Sequence, residues 1–438
     1  MRRTALYLLP MIMASGCFHG WRPDSPRCDA SDRAGSIERA RASLQTEAYA
    51  FARTFDADGS AFEPRWPATG GGVAVVSWPD PDRFEGAPVE FSQWARRSHV
   101  YDNALFALER IAQGDRHGAA ALLTTLAALQ LPDGAWGFSF GLDEPFYDAG
   151  YVRAGTVAFA VYAFARYANR FDDHRFRAVA GRGADWLLDQ RMPGSGLVRA
   201  GRGQWSEGGR RFDVGFDAAF AATEHQFDAF FALAALGRVD PDGRWSAGAA
   251  ALEGAILAHL WDETEGRFVQ GISAEGEVDR GSALDAAGTW GALFHLAGGR
   301  RAEARRCLDW VERVHGNGRG FRPYGDGPDT TFVEGSIAHA LAAYRVDPAA
   351  AAASLDAARR LACEDGLPLI YADRWAPDFP RSPAAAPTLW YLLAAAEIEA
   401  EIAPFLWIER AVPLAPHGHG GPPGMLDRRR APGYTSNG

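Results

Sequence analysis

Apolar and polar positions distinguish two kinds of helical segment that alternate along the chain. Segments such as Gly155–Arg170 and Glu224–Gly237 are apolar almost all round, which is typical of a helix surrounded by other helices. Segments such as Arg301–His315 carry a charged stripe, which is typical of a helix with one face in solvent. We call the first kind inner helices and the second kind outer helices.

The pattern predicts inner and outer helices in strict alternation, beginning with an outer one. The predicted outer helices are Ile37–Thr54, Arg116–Leu129, His174–Gln190, Trp245–Trp261, Arg301–His315 and Ala349–Cys363. The predicted inner helices are Tyr101–Gln113, Gly155–Arg170, Glu224–Gly237, Ser282–Gly298, Phe332–Arg345 and Ala385–Ile402.

The connections between these segments indicate a repeat. Links from inner to outer helices are short, whereas links from outer to inner helices are long. Most long links begin with a turn followed by an apolar or aromatic residue. The resulting period of about 50 to 70 residues indicates stacked helical hairpins. The turn signatures read DADGSAF at Asp56, PDGAWGF at Pro132, PGSGLV at Pro193, TEGRFV at Thr264 and GNGRGF at Gly316.

Six such hairpins predict an all-α fold, an (α/α)6 toroid with its long loops on one face. The last inner helix would then pack beside the first outer helix, and an open α-solenoid with a binding groove is the alternative. We place the toroid at 36–403, after a flexible tether at 17–35. The first long link holds a candidate strand, GVAVVSW at 72–78. Residues 404–438, rich in proline and glycine, are predicted to be a disordered tail.

The first 16 residues have the features of an export signal. Arg2 and Arg3 precede the apolar run Ala5–Met13, which is too short for a permanent membrane span. The following ASGC resembles the lipobox of bacterial lipoproteins, which would make Cys17 the acylated first residue. An ordinary secretory signal cleaved near Gly16 is the alternative. We therefore expect an exported protein of the cell envelope, attached to membrane only through this anchor.

Composition and charge exclude several classes of partner. The net charge is -10 and the isoelectric point is about 5.6, which argues against nucleic acid because binding it requires a basic surface. Cys28, Cys307 and Cys363 allow at most one disulfide and show no metal-like spacing. No phosphate-binding loop, dinucleotide fingerprint, nucleophile elbow or zinc motif stands out, so we predict no cofactor or metal. We also expect the protein to be a monomer.

The most polar helix start lies in the stretch FAATEHQFDAFFALAAL at 220–236. Thr223 and Gln226 have the spacing of a capping box, so the helix is predicted to begin at Glu224. Glu224 and Asp228 would then lie one turn apart on one helix face. Burying these two acids together with His225 costs free energy. In a closed toroid the starts of the inner helices and the long links share one face, where a pocket would form.

Three further acids occur at predicted inner-helix starts, and each also has a structural explanation. Asp285 follows Ser282 by three positions and Glu334 follows Thr331 by three, so both could complete capping boxes. Asp102 could cap its own helix or pair with an arginine just before it.

Local motifs around these acids resemble the six-hairpin glycosidase-like superfamily, which includes glucoamylases and unsaturated uronyl hydrolases. The motifs look like those of a bacterial polysaccharide-associated branch, in which the central motif more often reads TEHN. Here Gln226 stands in the asparagine position. The motifs are YDNAL at 101–105, TEHQFDAFFAL at 223–233, LDAAGTWGAL at 284–293 and FVEGSIAHALA at 332–342.

The resemblance implies glycoside hydrolysis of an envelope or extracellular polysaccharide. One carboxylic acid would protonate the leaving oxygen while one carboxylate activates water or attacks the sugar. Glu224 and Asp228 lie too near each other on one helix to flank both a bond and a water molecule. Our hypothesis is that Glu224 is the acid or the base, with Glu334, Asp285 or Asp102 as its partner.

Polar and aromatic residues near the same helix starts are the candidates for binding the sugar. Alternative functions are a polysaccharide lyase or sugar epimerase on the same fold, or a non-catalytic lipoprotein that binds glycan during polysaccharide export. The substrate-binding candidates are His225, Asp228, Tyr101, Asn103, Trp136, Tyr151, Trp290 and Tyr324.

Overall fold

The structure is a computed structural model that describes most of the chain between residues 33 and 410. The predicted signal peptide, Cys17, Cys28, Cys363 and residues 411–438 lie outside the described residues. The described ranges are 33–44, 46–49, 54–55, 61–62, 72–79, 97–142, 147–206, 211–349, 355, 358–361, 369–376, 379–399 and 402–410.

Inner and outer helices alternate as the sequence predicts. The inner helices are α2 (Val100–Ala112), α4 (Ala154–Phe171), α6 (Thr223–Val239), a π-helical turn (Asp285–Thr289) that continues into α8 (Trp290–Ala297), α10 (Val333–Val346) and α11 (Ala385–Ile398). The outer helices are α1 (Arg33–Ser43), α3 (Arg116–Ala128), α5 (Arg177–Asp189), α7 (Gly243–His259) and α9 (Arg301–His315), and helical residues of a further one are described at 355 and 358–361.

The inner helices close into a ring. Helix α2 packs on α4, α4 on α6, α6 on α8, α8 on α10, α10 on α11, and α11 returns to α2. The first outer helix α1 packs on α11, where Ser36 Oγ and Tyr391 Oη form a 2.5 Å hydrogen bond. In α4 every residue from Ala154 to Ala168 is buried, as expected for a helix walled in on all sides. The predicted toroid is confirmed, and the open solenoid is excluded.

Short antiparallel strands occupy the long links. Because the strands Arg97–His99, Val152–Arg153 and Ala221–Ala222 end immediately before α2, α4 and α6, the strands and the inner-helix starts lie on one face. The pairs are β1 (Thr46–Tyr49) with β4 (Gly72–Val75), β2 (Thr54–Phe55) with β3 (Ala61–Phe62), β5 (Arg97–His99) with β6 (Ser139–Gly141), β7 (Val152–Arg153) with β8 (Gly201–Ser206), β8 with β9 (Arg211–Ala218), β10 (Ala221–Ala222) with β13 (Gly271–Ile272), β11 (Trp261–Asp262) with β12 (Arg267–Phe268), and β13 with β14 (Val278–Asp279).

Helix bounds differ from the prediction mainly at the two ends of the toroid. The first outer helix begins inside the predicted tether and ends at Ser43 rather than Thr54. The chain then forms β1, whose backbone pairs with the predicted strand in the first long link. That strand is held on α3 because Thr125 Oγ1 donates a 2.8 Å hydrogen bond to the carbonyl of Val73. The last inner helix ends at Ile398, four residues before its predicted end.

The packed region continues past the predicted boundary at Pro404. Phe405, Leu406 and Trp407 are buried, and Trp407 is only 1% exposed. The prediction of a disordered tail is therefore wrong for these residues, because their apolar side chains pack inside the ring. We call residues 402–410 the C-terminal strap. Within the described part of the chain, no helix is long and apolar enough to cross a membrane.

Candidate active site

The first turn of α6 is held by the neighbouring links and not by a capping box. The helix begins at Thr223, whose Oγ1 donates to the carbonyl of Val269 at 2.7 Å. Gln226 accepts a hydrogen bond from the Val198 N–H at 2.7 Å and donates one to the Val198 carbonyl at 2.8 Å. The predicted capping box is wrong, and Gln226 has a structural role in which it joins the start of α6 to the preceding link.

The other two predicted capping boxes are also absent. Ser282 Oγ accepts a hydrogen bond from a backbone N–H in the next link, and Asp285 begins the π-helical turn without a side-chain cap. Thr331 Oγ1 donates to Asp373 at 3.1 Å, while Glu334 is the second residue of α10. Neither acid serves to cap its helix, so both carboxyl groups are available for other contacts. π-Helical turns are frequent at functional sites.

Acidic side chains from three inner helices converge at this end of the ring. Burial, and then repulsion from Glu224, Asp285 and Glu334, holds the pKa of Asp228 well above its ordinary value. Burial, and then repulsion from Glu334 and Glu224, also holds the pKa of Asp285 well above its ordinary value. Burial raises the pKa of Glu224 to about 7 and that of Glu334 to about 8. We call these four residues the acid cluster.

A chain of hydrogen bonds holds Glu334 in place. Trp390 Nε1 donates to Tyr101 Oη at 2.8 Å, and Tyr101 Oη donates to Glu334 Oε1 at 2.5 Å. The chain joins α11, α2 and α10. Asp102, next to Tyr101, is also buried, and burial raises its pKa to about 7 while a hydrogen bond with Ser77 lowers it. Asp102 thus contributes to the charge near Glu334.

Several buried polar atoms at this face lack a hydrogen-bond partner among the residues that the structure describes. They are Glu224 Oε2, His225 Nδ1, Asp228 Oδ1 and Asp285 Oδ1. Glu224, His225 and Asp285 are half-buried, whereas Asp228 is 4% exposed. Because buried polar groups are nearly always hydrogen-bonded, such a cluster indicates a recess that receives water or a polar ligand.

Gly155 allows the polar start of α6 to approach α4. A Cβ atom at Gly155 would lie 2.6 Å from His225 Cδ2 and 2.8 Å from Asp228 Oδ2, closer than van der Waals contact permits. Burial, and then the charge of Arg153, lowers the pKa of His225 to about 3. His225 is therefore neutral over the physiological pH range. The role of Gly155 was not predicted, because nothing in the local sequence distinguishes it from other helical glycines.

Aromatic side chains follow one another around part of the recess, and we call them the aromatic arc. Burial, and then the charges of Glu334 and Asp285, hold the pKa of Tyr371 well above its ordinary value, so Tyr371 lies near the acid cluster. Tyr151 and Tyr324 were predicted, but Tyr371 was not, because its link has no periodic pattern. Successive ring contacts run from Tyr324 through Phe379, Tyr371, Trp78, His99 and Phe138 to Tyr151.

Two predicted binding residues are parts of the core. Trp136 is fully buried and donates from Nε1 to the carbonyl of Leu126 at 2.6 Å. Asn103 is fully buried and donates to Ser98 Oγ at 2.7 Å. The prediction that these two residues bind substrate is wrong, because packing and hydrogen bonding already occupy their side chains. Trp290, 6% exposed, lies below the acid cluster and stacks on Trp390 with ring centroids 6.1 Å apart.

Among the described side chains, no three His, Cys, Asp or Glu residues are arranged so that they could hold a metal ion. Cys307 is buried and forms no disulfide. The groups that converge on the recess are instead carboxylic acids with raised pKa values, a neutral imidazole and hydroxyl groups. Such a set can donate and accept protons and can bind a ligand rich in hydroxyl groups.

No protein-family model matches the chain, and no curated protein matches it. Its fold is similar to that of D-mannose isomerase, with a TM-score of 0.55, 11% identity, and coverage of 87% of this chain and 100% of that chain. Unsaturated glucuronyl hydrolase from Bacillus sp. GL1 has a TM-score of 0.52 and 14% identity, with coverage of 71% of this chain and 88% of that chain. Cellobiose 2-epimerase from Bacillus thermoamylovorans has a TM-score of 0.54 and 11% identity, with coverage of 76% of this chain and 94% of that chain. At such identities the likeness shows the fold alone.

Proposed function

We propose that this protein is a glycoside hydrolase that acts on an oligo- or polysaccharide by general acid and general base catalysis. The observation that carries the proposal is the acid cluster, in which the charged neighbours that perturb Asp228 and Asp285 are all other acids. Burying carboxyl groups without cations is costly, and shifted pKa values are typical of catalytic sites. The solved structures of similar fold include a hydrolase, an isomerase and an epimerase of sugars.

The reacting pair is proposed to be Glu224 and Asp285. Both are half-buried, both have an unpartnered oxygen, and they lie on different inner helices. Burial and its acidic neighbours hold the pKa of Asp285 well above its ordinary value, which suits Asp285 to protonate the leaving oxygen. Glu224, with a pKa of about 7, is substantially ionised there and accepts the proton of the attacking water.

The remaining acids support this pair. Glu334, held by Tyr101, stands first among the charges that raise the pKa of Asp285 and can accept a hydrogen bond from a sugar hydroxyl. Asp228 is almost inaccessible, and the charges of Glu224, Asp285 and Glu334 add to burial in raising its pKa. The aromatic arc supplies flat apolar faces for the sugar rings, as in many ligand sites that combine apolar walls with a few polar groups.

The proposal is tested by incubating the full chain with a panel of neutral and acidic oligosaccharides and following reducing ends by mass spectrometry. Hydrolysis adds one water per bond broken, and NMR of the first product distinguishes inversion from retention. The matched control is Glu275→Gln, which removes an exposed acid from the turn between β13 and β14. Wild-type activity in a folded Glu224→Gln variant would contradict the assignment.

A sugar epimerase is the second candidate, and His225 is the observation that favours it. Its Nδ1 has no partner among the described residues, and its lowered pKa keeps the ring neutral, so an unprotonated ring nitrogen is available at the site. An epimerase would leave the substrate mass unchanged and incorporate solvent deuterium at carbon. A lyase would instead give an unsaturated sugar that absorbs in the ultraviolet.

We also propose that the protein is exported and anchored at the cell envelope through a lipid on Cys17. The sequence motif at the predicted cleavage site supports this proposal. Cells grown with an alkyne analogue of palmitate should label the wild-type protein in the membrane fraction, and Cys17→Ser should remove both the label and the membrane association. Wild-type protein that is unlabelled and remains soluble would contradict it.

A further inference from the structure

The C-terminal strap enters the ring from the end opposite the long links. Trp407 contacts four inner helices, because its ring stacks on Phe231 at 5.3 Å and meets Phe159 at 5.6 Å, Trp290 at 5.0 Å and Trp390 at 5.6 Å. It is 1% exposed. Since Trp290 directly follows the π-helical turn that begins at Asp285, Trp407 fills the axis of the ring beneath the acid cluster.

Polar contacts fix the strap in this position. Glu409 accepts hydrogen bonds from Arg166 at 2.5 Å and from Tyr162 Oη at 2.9 Å. The backbone N–H of Trp407 donates to Tyr162 Oη at 2.8 Å. Trp407 has a φ of +53°, a conformation that side-chain-bearing residues rarely adopt. Such strain persists only where the surroundings impose it and is frequent at functional sites.

Two sets of contacts lead from Trp407 to one tyrosine of the site. Trp407 meets the ring of Trp390 edge to face, and Trp390 Nε1 donates to Tyr101 Oη. Trp407 also contacts Phe159, whose ring meets that of Tyr101 at 4.6 Å. Tyr101 is therefore held on both sides by residues that rest on the strap, and its hydroxyl donates to Glu334 at 2.5 Å.

We propose that the C-terminal strap is part of the active site, in which Trp407 is a positioning residue that holds Trp390 and Phe159 against Tyr101 and so aligns Glu334 beside Asp285. The proposal rests on the proposed function, because it assigns the strap to the same proton chemistry. It also explains why a strained tryptophan and a buried ion pair lie at the end of the toroid.

The physical consequence of removing the ring of Trp407 follows from the contacts. The cavity left behind lets Trp390 and Phe159 relax, and Tyr101 then loses its alignment with Glu334. Without that donor the pKa of Glu334 rises further, because hydrogen bonds to a carboxylate stabilise its ionised form. Glu334, whose pKa is already about 8, then stays neutral to a higher pH and raises the pKa of Asp285 less, so Asp285 ionises at a lower pH.

The test compares two cavity variants of the full chain, Trp407→Ala and Trp245→Ala. Trp245 is fully buried on the outer helix α7, so its loss lowers stability without reaching the site. We expect Trp407→Ala to lower kcat by roughly tenfold to 100-fold, to change KM little, and to move the alkaline limb of the kcat/KM profile to lower pH. Trp407→Phe should restore most of the activity, whereas Trp245→Ala should keep the wild-type pH profile.

A second readout does not depend on catalysis. Carbon-13 NMR of labelled glutamate carboxyls, assigned with Glu334→Gln, should show the pKa of Glu334 raised in Trp407→Ala and in Trp390→Phe but not in Trp245→Ala. Equal behaviour of Trp407→Ala and Trp245→Ala in both readouts would overturn the proposal. If the wild-type protein hydrolyses no glycan, the proposed function fails, and the NMR titration still decides whether the strap positions Glu334. If Trp407→Ala does not fold, Trp407→Phe and Trp390→Phe provide the same comparison.

Discussion

Both ends of the inner ring bury carboxylates, but the two ends differ in whether an arginine is paired with them. At the end opposite the long links, which we call the base of the ring, Arg345 donates to Glu397 at 2.6 and 2.7 Å, and Arg166 donates to Glu409 at 2.5 Å. At the start of the inner helices, the acid cluster has no ion pair to an arginine within the described residues, and Glu224 and Glu334 raise the pKa values of Asp228 and Asp285. Paired carboxylates stabilise the ring, whereas unpaired ones are maintained at a cost in stability.

The direction of the inner helices explains this division in part. Their carbonyl ends lie at the base, where the helix dipole favours cations, and Arg345 occupies the last turn of α10. The opposite ends offer backbone N–H groups, which favour anions, yet burial raises the pKa values of the acids there. The cluster therefore retains protons near neutral pH, which is what a general acid requires.

The largest effect is expected for the proposed general acid. Asp285→Asn should lower kcat/KM for a natural glycan by about 1,000-fold, because proton donation to the leaving oxygen is lost. A dinitrophenyl glycoside has a leaving group that needs no proton, so the loss there should shrink to about tenfold or less. Steady-state kinetics on both substrates measures the difference, with Glu275→Gln as the control. Equal losses on both substrates would mean that Asp285 is not the acid.

At the base, breaking an ion pair should destabilise the fold strongly. Arg345→Met leaves Glu397 buried without its cation, and such changes cost about 3 to 5 kcal/mol. Urea denaturation measures the loss against Arg280→Met, which removes an exposed arginine paired with Asp262 and should cost at most about 1 kcal/mol. Similar costs for the two variants would show that the base pairs contribute little.

At the acid cluster, neutralising a carboxylate should stabilise the protein. The pKa of Asp228 is raised in the folded state, so the folded protein keeps a proton that the unfolded chain loses above its own pKa of about 3.9. Stability is therefore greatest below that pH and falls as the pH rises toward the folded pKa. Asp228→Asn should raise the free energy of unfolding at pH 8 by about 1 kcal/mol.

This gain should disappear near pH 3, where Asp228 is protonated in the folded state and largely so in the unfolded one. Urea denaturation at the two pH values measures it. If the variant were less stable than the wild type at pH 8, a cation would have to lie beside Asp228. That result would contradict the comparison between the two ends.

The smallest effect is the pH dependence of the wild-type enzyme. Because protonated Glu224 cannot accept a proton from water, kcat/KM should rise as the pH increases through about 7. It should fall again at higher pH, where Asp285 loses its proton. A profile that is flat between pH 5 and 8, measured with any hydrolysed substrate, would exclude Glu224 as the base.

The ring was predictable because hydrophobic periodicity is a local property that survives in each of its helices. The prominence of Glu224, and the need for a partner on another inner helix, followed from the same pattern. The hydrogen bonds of Thr223 and Gln226 were not predictable, because their partners Val269 and Val198 lie in other links. Local spacing therefore suggested capping boxes that do not form.

Residues in irregular segments were the hardest to predict. Tyr371 belongs to a link without periodicity, and Trp407 was assigned to the tail because the proline and glycine of residues 411–438 dominate the composition there. For Trp136 it was the residue type that led to the wrong prediction. Its aromatic ring suits a sugar platform, and only the packing of α3 against α4 shows that it is enclosed.

The measurement that tests the central claim most directly uses one substitution and two assays. Glu224→Gln should lower hydrolysis at pH 7 by about 1,000-fold and should raise the free energy of unfolding at pH 8, because the variant no longer ionises a buried carboxyl group. Loss of activity together with a gain in stability is the result expected of an unpaired carboxylate that acts as the general base. Full activity in a folded variant whose stability is unchanged or reduced would contradict the account.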